Sequence, residues 1–113
     1  MIYKALIQLS TSDEEVIKSL VSHVKNLRTG LGEDVEILIL CHAKSLDFVL
    51  SKNENFKARI RLLLSFNATI AACENMLNAH DKTKEALHEG IETIPSAIVA
   101  LVVKQQEGWS YLK

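Results

Sequence analysis

Residues 2–41, IYKALIQLSTSDEEVIKSLVSHVKNLRTGLGEDVEILILC, place two apolar runs on either side of a segment with helical period, and this alternation decides the fold. The first run carries Ile2, Tyr3, Ala5, Leu6, Ile7 and Leu9 and stops at Ser10-Thr11-Ser12, which predicts a strand. A helix opens at its polar end. Ser12 with Glu15, or Thr11 with Glu14, has capping-box spacing, and Asp13, Glu14 and Glu15 suit the positive end of a helix dipole. Val16, Ile17, Leu20, Val21, Val24 and Leu27 then fall on one face, and the helix ends near Gly30 and Gly32. Val35, Ile37, Leu38, Ile39, Leu40 and Cys41 form a nearly continuous apolar run, as expected of a parallel strand covered on both faces.

Working outward, Phe56, Ile60, Leu63 and Leu64 share a helical face between Ser51 and Phe66, with Asn53 or Asn55 as cap and Asn67 as a left-handed terminator. Ala68 to Cys73 reads as a third strand. The polar stretch Glu74 to Glu89 predicts a helical turn and a short helix around Thr83 to Glu89, stopped by Gly90, and Ile91 to Ile94 a short fourth strand. The segment from Ala97 to Val103 is ambiguous. Its β-branched residues favour a strand, but Pro95-Ser96 is a helix start and Ile98, Leu101, Val102 and Gln105 have helical spacing, with Gly108 as terminator, so we read it as helix. Trp109 to Leu112 becomes a terminal strand with Trp109 and Tyr111 on one side. The expected fold is α/β: a three-layer sandwich with a mostly parallel five-stranded sheet and helices on both faces.

At 113 residues the chain is long enough for one domain, spanning 1–113, that buries roughly two-thirds of its unfolded surface. Thirteen basic and fourteen acidic side chains leave a net charge of -1, which argues against a nucleic-acid platform. The longest apolar stretch, Ala97 to Val103, falls far short of the roughly 20 residues of a membrane span, and the N-terminus lacks signal-peptide character. A soluble, cytoplasmic protein is expected. Cys41 and Cys73 lack the spacing of a disulfide framework or zinc knuckle and read as reduced thiols.

In parallel sheets, ligands bind beyond the strand carboxyl ends. Those ends hold Ser10-Thr11, Cys41-His42, Cys73-Glu74-Asn75 and Pro95-Ser96. Cys73 is the candidate nucleophile, because a thiol at a strand end before a helical turn meets backbone N–H groups that favour its ionised form, in partial contact with solvent. A free cysteine is also among the most buried residue types, and on the residues alone core packing of Cys73 is the favoured reading. Cys41 reads as core, and His42 as a strand-end hydrogen bonder or a site residue. His23, His80 and His88 lack a ligand partner at helical spacing and read as solvated, so no metal site is expected. Dinucleotide and P-loop glycine motifs and C-x-x-C are absent, and no cofactor is expected.

T-I-A-A-C-E-N-M-L around Cys73, C-H-A at Cys41 to Ala43, I-P-S-A at Ile94 to Ala97 and K-Q-Q-E-G-W-S-Y-L-K at the end together resemble the DsrE/DsrF-like family over almost the whole chain. The resemblance implies a compact α/β fold, assembly into trimers or hexamers, and intracellular sulfur oxidation and relay in which the cysteine matching Cys73 carries sulfur as a persulfide. The chain departs from the family pattern at Asn67, His42-Ala43, Ser96-Ala97 and Asn75-Met76. Asn67 keeps left-handed geometry, whereas Ala43 and Ala97 supply positive φ less readily than glycine, so narrower or differently shaped loops are expected around the site. The expected function is a sulfur carrier that takes sulfur at Cys73 from a donor and passes it to an acceptor protein, with His42, Asn75, Ser10 and Ser96 as binding residues. The alternative is a non-catalytic ligand-binding or regulatory module, since no complete acid/base set is present.

Overall fold

Apolar residues on both faces of the central strands require a covering layer on each side, and the chain supplies both. In the computed structural model, which describes residues 1–112, five strands form one sheet: β1 (Tyr3–Leu9), β2 (Val35–Cys41), β3 (Thr69–Cys73), β4 (Glu92–Ile94) and β5 (Ser110–Leu112). Between them run α1 (Glu14–Leu31), α2 (Leu46–Val49), α3 (Lys57–Ser65), α4 (Glu74–Ala79) and α5 (Ala97–Gln106). The strand order is β4-β3-β2-β1-β5, and every neighbouring pair is parallel. The α/β sandwich expected from the sequence is the fold observed.

One face carries the larger core. Ala5, Ile7, Ile37, Ile39 and Ile70 pack there against Ile17, Leu20, Val21 and Val24 of α1 and against Ile60 and Leu63 of α3. The opposite face is thin: Leu6, Leu40 and Ala71 lie under Leu101 of α5, with Trp109 at the side. The topology explains the difference. β4 and β5 occupy opposite edges, four strand spacings or about 19 Å apart, so the single connection between them, including α5, must cross the sheet. Only Ala97 and Leu101 of α5 are buried, while Ile98, Val99, Val102 and Val103 are 45–60% exposed.

Several local expectations change. The α1 cap is Asp13, whose carboxylate accepts from the N–H groups of Glu15 and Val16; Thr11 instead accepts from the Asp13 N–H, and Ser12 donates to the Lys44 carbonyl. Neither Asn53 nor Asn55 caps α3: Asn53 donates to the Asp47 carbonyl and Asn55 to the Glu14 carboxylate. Helix α2 and the turn before it were not legible, because four residues are too few for a periodic signal; Phe48 within it is fully buried. After β3 the helix is Glu74–Ala79, while the expected helix at 83–89 is reduced to a 3-10 turn at Lys84–Ala86, since Leu87 leaves to bridge Leu50 in antiparallel fashion. Asn67 takes φ 59° as expected, Gly32 terminates α1, and Ser96 caps α5 by accepting from the Val99 N–H at 3.4 Å. The segment from Ala97 is helical despite its β-branched residues, because both sheet edges it joins are already filled and a crossover must span them.

Candidate functional site

The parallel register aligns the strand ends: Leu9 pairs with Cys41, Cys41 with Ala72, and Cys73 with Ile94. Ser10, His42, Cys73 and Pro95-Ser96 therefore emerge along one margin of the sheet. Alternation then selects a face. Continuing from Leu40, His42 belongs to the α5 side, whereas Cys73, the last residue of β3, packs with the main core and reaches the margin where α4 and α5 begin. His42, Cys73, Asn75 and Ser96 all line one open surface pocket of about 360 Å³, together with Ala43, Met76, Ala79, His80 and Ile98. Ser10 does not line it; this residue is exposed, and its carbonyl accepts from the Lys44 N–H at 3.1 Å.

Cys73 sits at the pocket floor. It is only 6% exposed, less open than the sequence led us to expect, because α5 starts directly against it: the Ala97 N–H, in the first turn of that helix, donates to the Cys73 sulfur at 3.4 Å. The loop after β2 forms another wall. Ala43 there adopts φ 56°, so the turn that glycine would make without strain is made by alanine, at a cost of about 1–2 kcal/mol. Hydrogen bonds from Ser45 N–H and Oγ to the His42 carbonyl hold it, at 3.1 and 2.8 Å. Ala43 thus takes the left-handed conformation that alanine supplies less readily than glycine. Ser45 is itself fully buried, with its hydroxyl 3.7 Å from the Met76 sulfur.

His42 is tied to the other end of the chain. Its Nε2 lies 2.6 Å from Gln8 Nε2, and Gln8 Oε1 accepts from the Tyr111 hydroxyl. Burial lowers the His42 pKa, which favours the neutral ring. The sequence did carry a signal for Gln8, a lone amide between Ile7 and Leu9 near the end of an apolar strand. Tyr111 could not be connected to it without the β1–β5 pairing.

Both cysteines are buried in the main core, Cys41 completely and Cys73 with 6% of its surface exposed. Cys41 points into the main core, is fully buried, and burial pushes its thiol pKa up to about 12, in keeping with the core role expected of it. Both cysteines are free. His88 departs from the sequence expectation: it is 6% exposed, not solvated, because the 83–90 segment folds back on the 49–53 loop through the His88 N–H bond to the Val49 carbonyl and the Ser51 N–H bond to the Ala86 carbonyl. His23 and His80 are exposed. Burial lowers the His88 pKa, outweighing the raising effects of Glu54 and the Asn53 backbone, with Lys57 adding the smallest lowering contribution.

A pH effect on stability follows. The folded pKa values of His88 and His42 lie below those of the unfolded chain, so the unfolded state takes up more protons and stability falls as pH drops through about 6.5. Urea midpoints are expected to decrease between about pH 8 and pH 5.5, and His88→Leu is expected to flatten that slope. An unchanged slope in His88→Leu would assign the effect elsewhere.

Among the described residues, no group of three or more His, Cys, Asp or Glu side chains could hold a metal ion, and no helix is long and apolar enough to cross a membrane. No family model and no curated protein matches the sequence. Solved structures do. A protein of unknown function from Methanobacterium thermoautotrophicum superposes with a TM-score of 0.89 at 26% identity, over 97% of each chain. A conserved protein of unknown function from Bacteroides thetaiotaomicron superposes with a TM-score of 0.78 at 20% identity, over 96% of this chain and 92% of its own. The chain therefore shares its whole fold, from β1 to β5, with proteins from an archaeon and a bacterium.

Proposed function

We propose that the protein is a small sulfur carrier in which Cys73 accepts sulfane sulfur and passes it on as a persulfide. The observation that carries this reading is the Cys73 sulfur at the floor of an open pocket, accepting a hydrogen bond from the first turn of α5. A donor at the positive end of a helix dipole stabilises negative charge that develops on sulfur, including that of a persulfide. The DsrE/DsrF-like resemblance supports the same assignment. In the loading step the Cys73 sulfur anion attacks the outer sulfur of thiosulfate; one S–S bond forms, the old one breaks, and sulfite leaves with its electron pair. With polysulfide the leaving group is the anion shortened by one sulfur. Unloading repeats the exchange, an acceptor protein's thiolate attacking the outer sulfur and Cys73 leaving.

Intact mass after treatment with polysulfide or thiosulfate is expected to rise by one sulfur atom, localised to Cys73, with Cys41 unmodified. Absence of an adduct at Cys73 with both donors overturns the proposal. Its near-complete coverage favours the alternative, a binding module of the same fold, which would hold these anions reversibly without a mass change. Such chemistry requires reduced thiols and fits the cytoplasm.

We also propose that second copies of the chain cover α5, in a trimer or hexamer as the resemblance implies. The exposed aliphatic face of α5 is continuous with the pocket through Ile98, so a neighbouring copy would also enclose the site. Light scattering is expected to show an oligomer that Val99→Glu with Val102→Glu converts to monomer; a monomeric parent protein would refute this.

A further inference from the structure

Gln8 approaches His42 through its amide nitrogen, and Tyr111 occupies the amide oxygen on the other side. An amide nitrogen only donates, so the ring nitrogen it meets, 2.6 Å away, has to accept. In this orientation of the amide the Tyr111 hydroxyl donates to Oε1, so both ends of the Gln8 side chain are engaged. The hydrogen of a neutral His42 ring is thereby left to Nδ1, which no hydrogen bond engages among the described residues. We propose that Gln8 and Tyr111 are positioning residues that set His42 as its Nδ1–H tautomer, making the histidine a hydrogen-bond donor in the Cys73 pocket and not a base.

The consequence for the site is a choice between roles that the residue type alone leaves open. Were His42 a base for the Cys73 thiol, a ring nitrogen would have to be free to receive the proton; Nε2 is committed to Gln8, and Nδ1 is already protonated. As a donor it matches the rest of the pocket wall. Asn75, Ser96 and His80 can each donate, the Ala97 N–H already does so to Cys73, and no carboxylate lines the pocket. A ligand whose outer atoms accept hydrogen bonds, such as the oxygens of thiosulfate, finds partners there. That ligand class rests on the sulfur-carrier reading, whereas the tautomer does not.

The ring nitrogens of His42 can be read directly in long-range proton–nitrogen spectra of the isotope-labelled, unloaded full chain at neutral pH, with His42→Asn assigning the signals. The expected result is a protonated Nδ1 and an unprotonated Nε2. Gln8→Glu replaces the donor by an acceptor and is expected to exchange the two signatures, giving Nε2–H; Tyr111→Phe releases the amide and is expected to give a mixture. Should Gln8→Glu fail to fold, Gln8→Met, which removes the donor at similar length, is expected to give the mixture as well. An Nε2–H ring in the parent protein, or a tautomer indifferent to Gln8, overturns the proposal. The donor role is tested separately with thiosulfate as probe on Cys73→Ser, which cannot load: adding Gln8→Met is expected to weaken binding about tenfold. Equal affinity in the two would overturn that role. Failure of sulfur loading on Cys73 leaves the tautomer result standing, so the two proposals fail independently.

Discussion

Cys73→Ala is expected to abolish sulfur loading completely while the chain remains folded. The loss is total because the alternative thiol cannot substitute: Cys41 is sealed in the main core with its pKa pushed up to about 12, leaving a negligible anionic fraction at neutral pH. The fold survives because the substitution removes one sulfur atom from a site bordering a pocket, which costs about 1 kcal/mol of buried apolar contact. Cys73→Ser refines the comparison. Its hydroxyl preserves an acceptor for the Ala97 N–H but cannot form a persulfide, so loading is expected to vanish with stability closer to the parent protein. Loading that persists in either variant, measured by intact mass with the same donors, would move the chemistry away from this pocket.

Arg28 governs the largest expected change in stability. Its guanidinium donates to the carbonyls of Phe66 at 2.9 Å, Gly32 at 2.7 Å, Val35 at 3.0 Å and Asn67 at 3.4 Å. Gly32 terminates α1, and Phe66 and Asn67 terminate α3, so one cation satisfies carbonyls at the negative ends of two helix dipoles and reaches β2 as well. No other side chain links these elements in this way among the described residues. Hydrogen bonds to a charged group contribute about 1.5–3 kcal/mol each when buried, but these are partly solvated and share one donor group, so Arg28→Met is expected to cost about 2–4 kcal/mol in total. The urea midpoint should fall at unchanged slope. Arg28→Lys keeps the charge without the planar fork and is expected to recover less than half of the loss. A change below about 0.5 kcal/mol in Arg28→Met would mean that water replaces all four contacts.

How far the sequence reached depended on the range of each interaction. The strands at residues 3–9, 35–41 and 69–73, the helix from Glu14 and the terminator at Asn67 were legible because period and composition act within a few residues. Phrases of polar residues were harder to interpret. Ser12 has the spacing of a cap, yet its hydroxyl serves Lys44 and Phe48, more than thirty positions away, and Asp13 takes the cap instead. His88 looked solvated within its polar segment and is buried because Leu50 and Leu87 pair across the fold. The candidate pocket shows the same division: His42, Cys73, Asn75 and Ser96 were found by locating strand ends, whereas His80 and Ile98 join them only through the paths of α4 and α5.

By itself, the sequence determined an all-helix-and-strand alternation, a parallel sheet with apolar residues on both faces, and the margin on which reactive side chains gather; these depend on periodicity and on the short-range stereochemistry of turns. Tertiary structure alone decided that β5 lies beside β1, that Tyr111 therefore reaches Gln8 and through it His42, and that α5 closes over Cys73 while turning Ile98, Val99, Val102 and Val103 outward. The physical reason is that strand order is set by which edges can be covered at the least loss of buried apolar area, a property of the whole sheet that no local segment encodes.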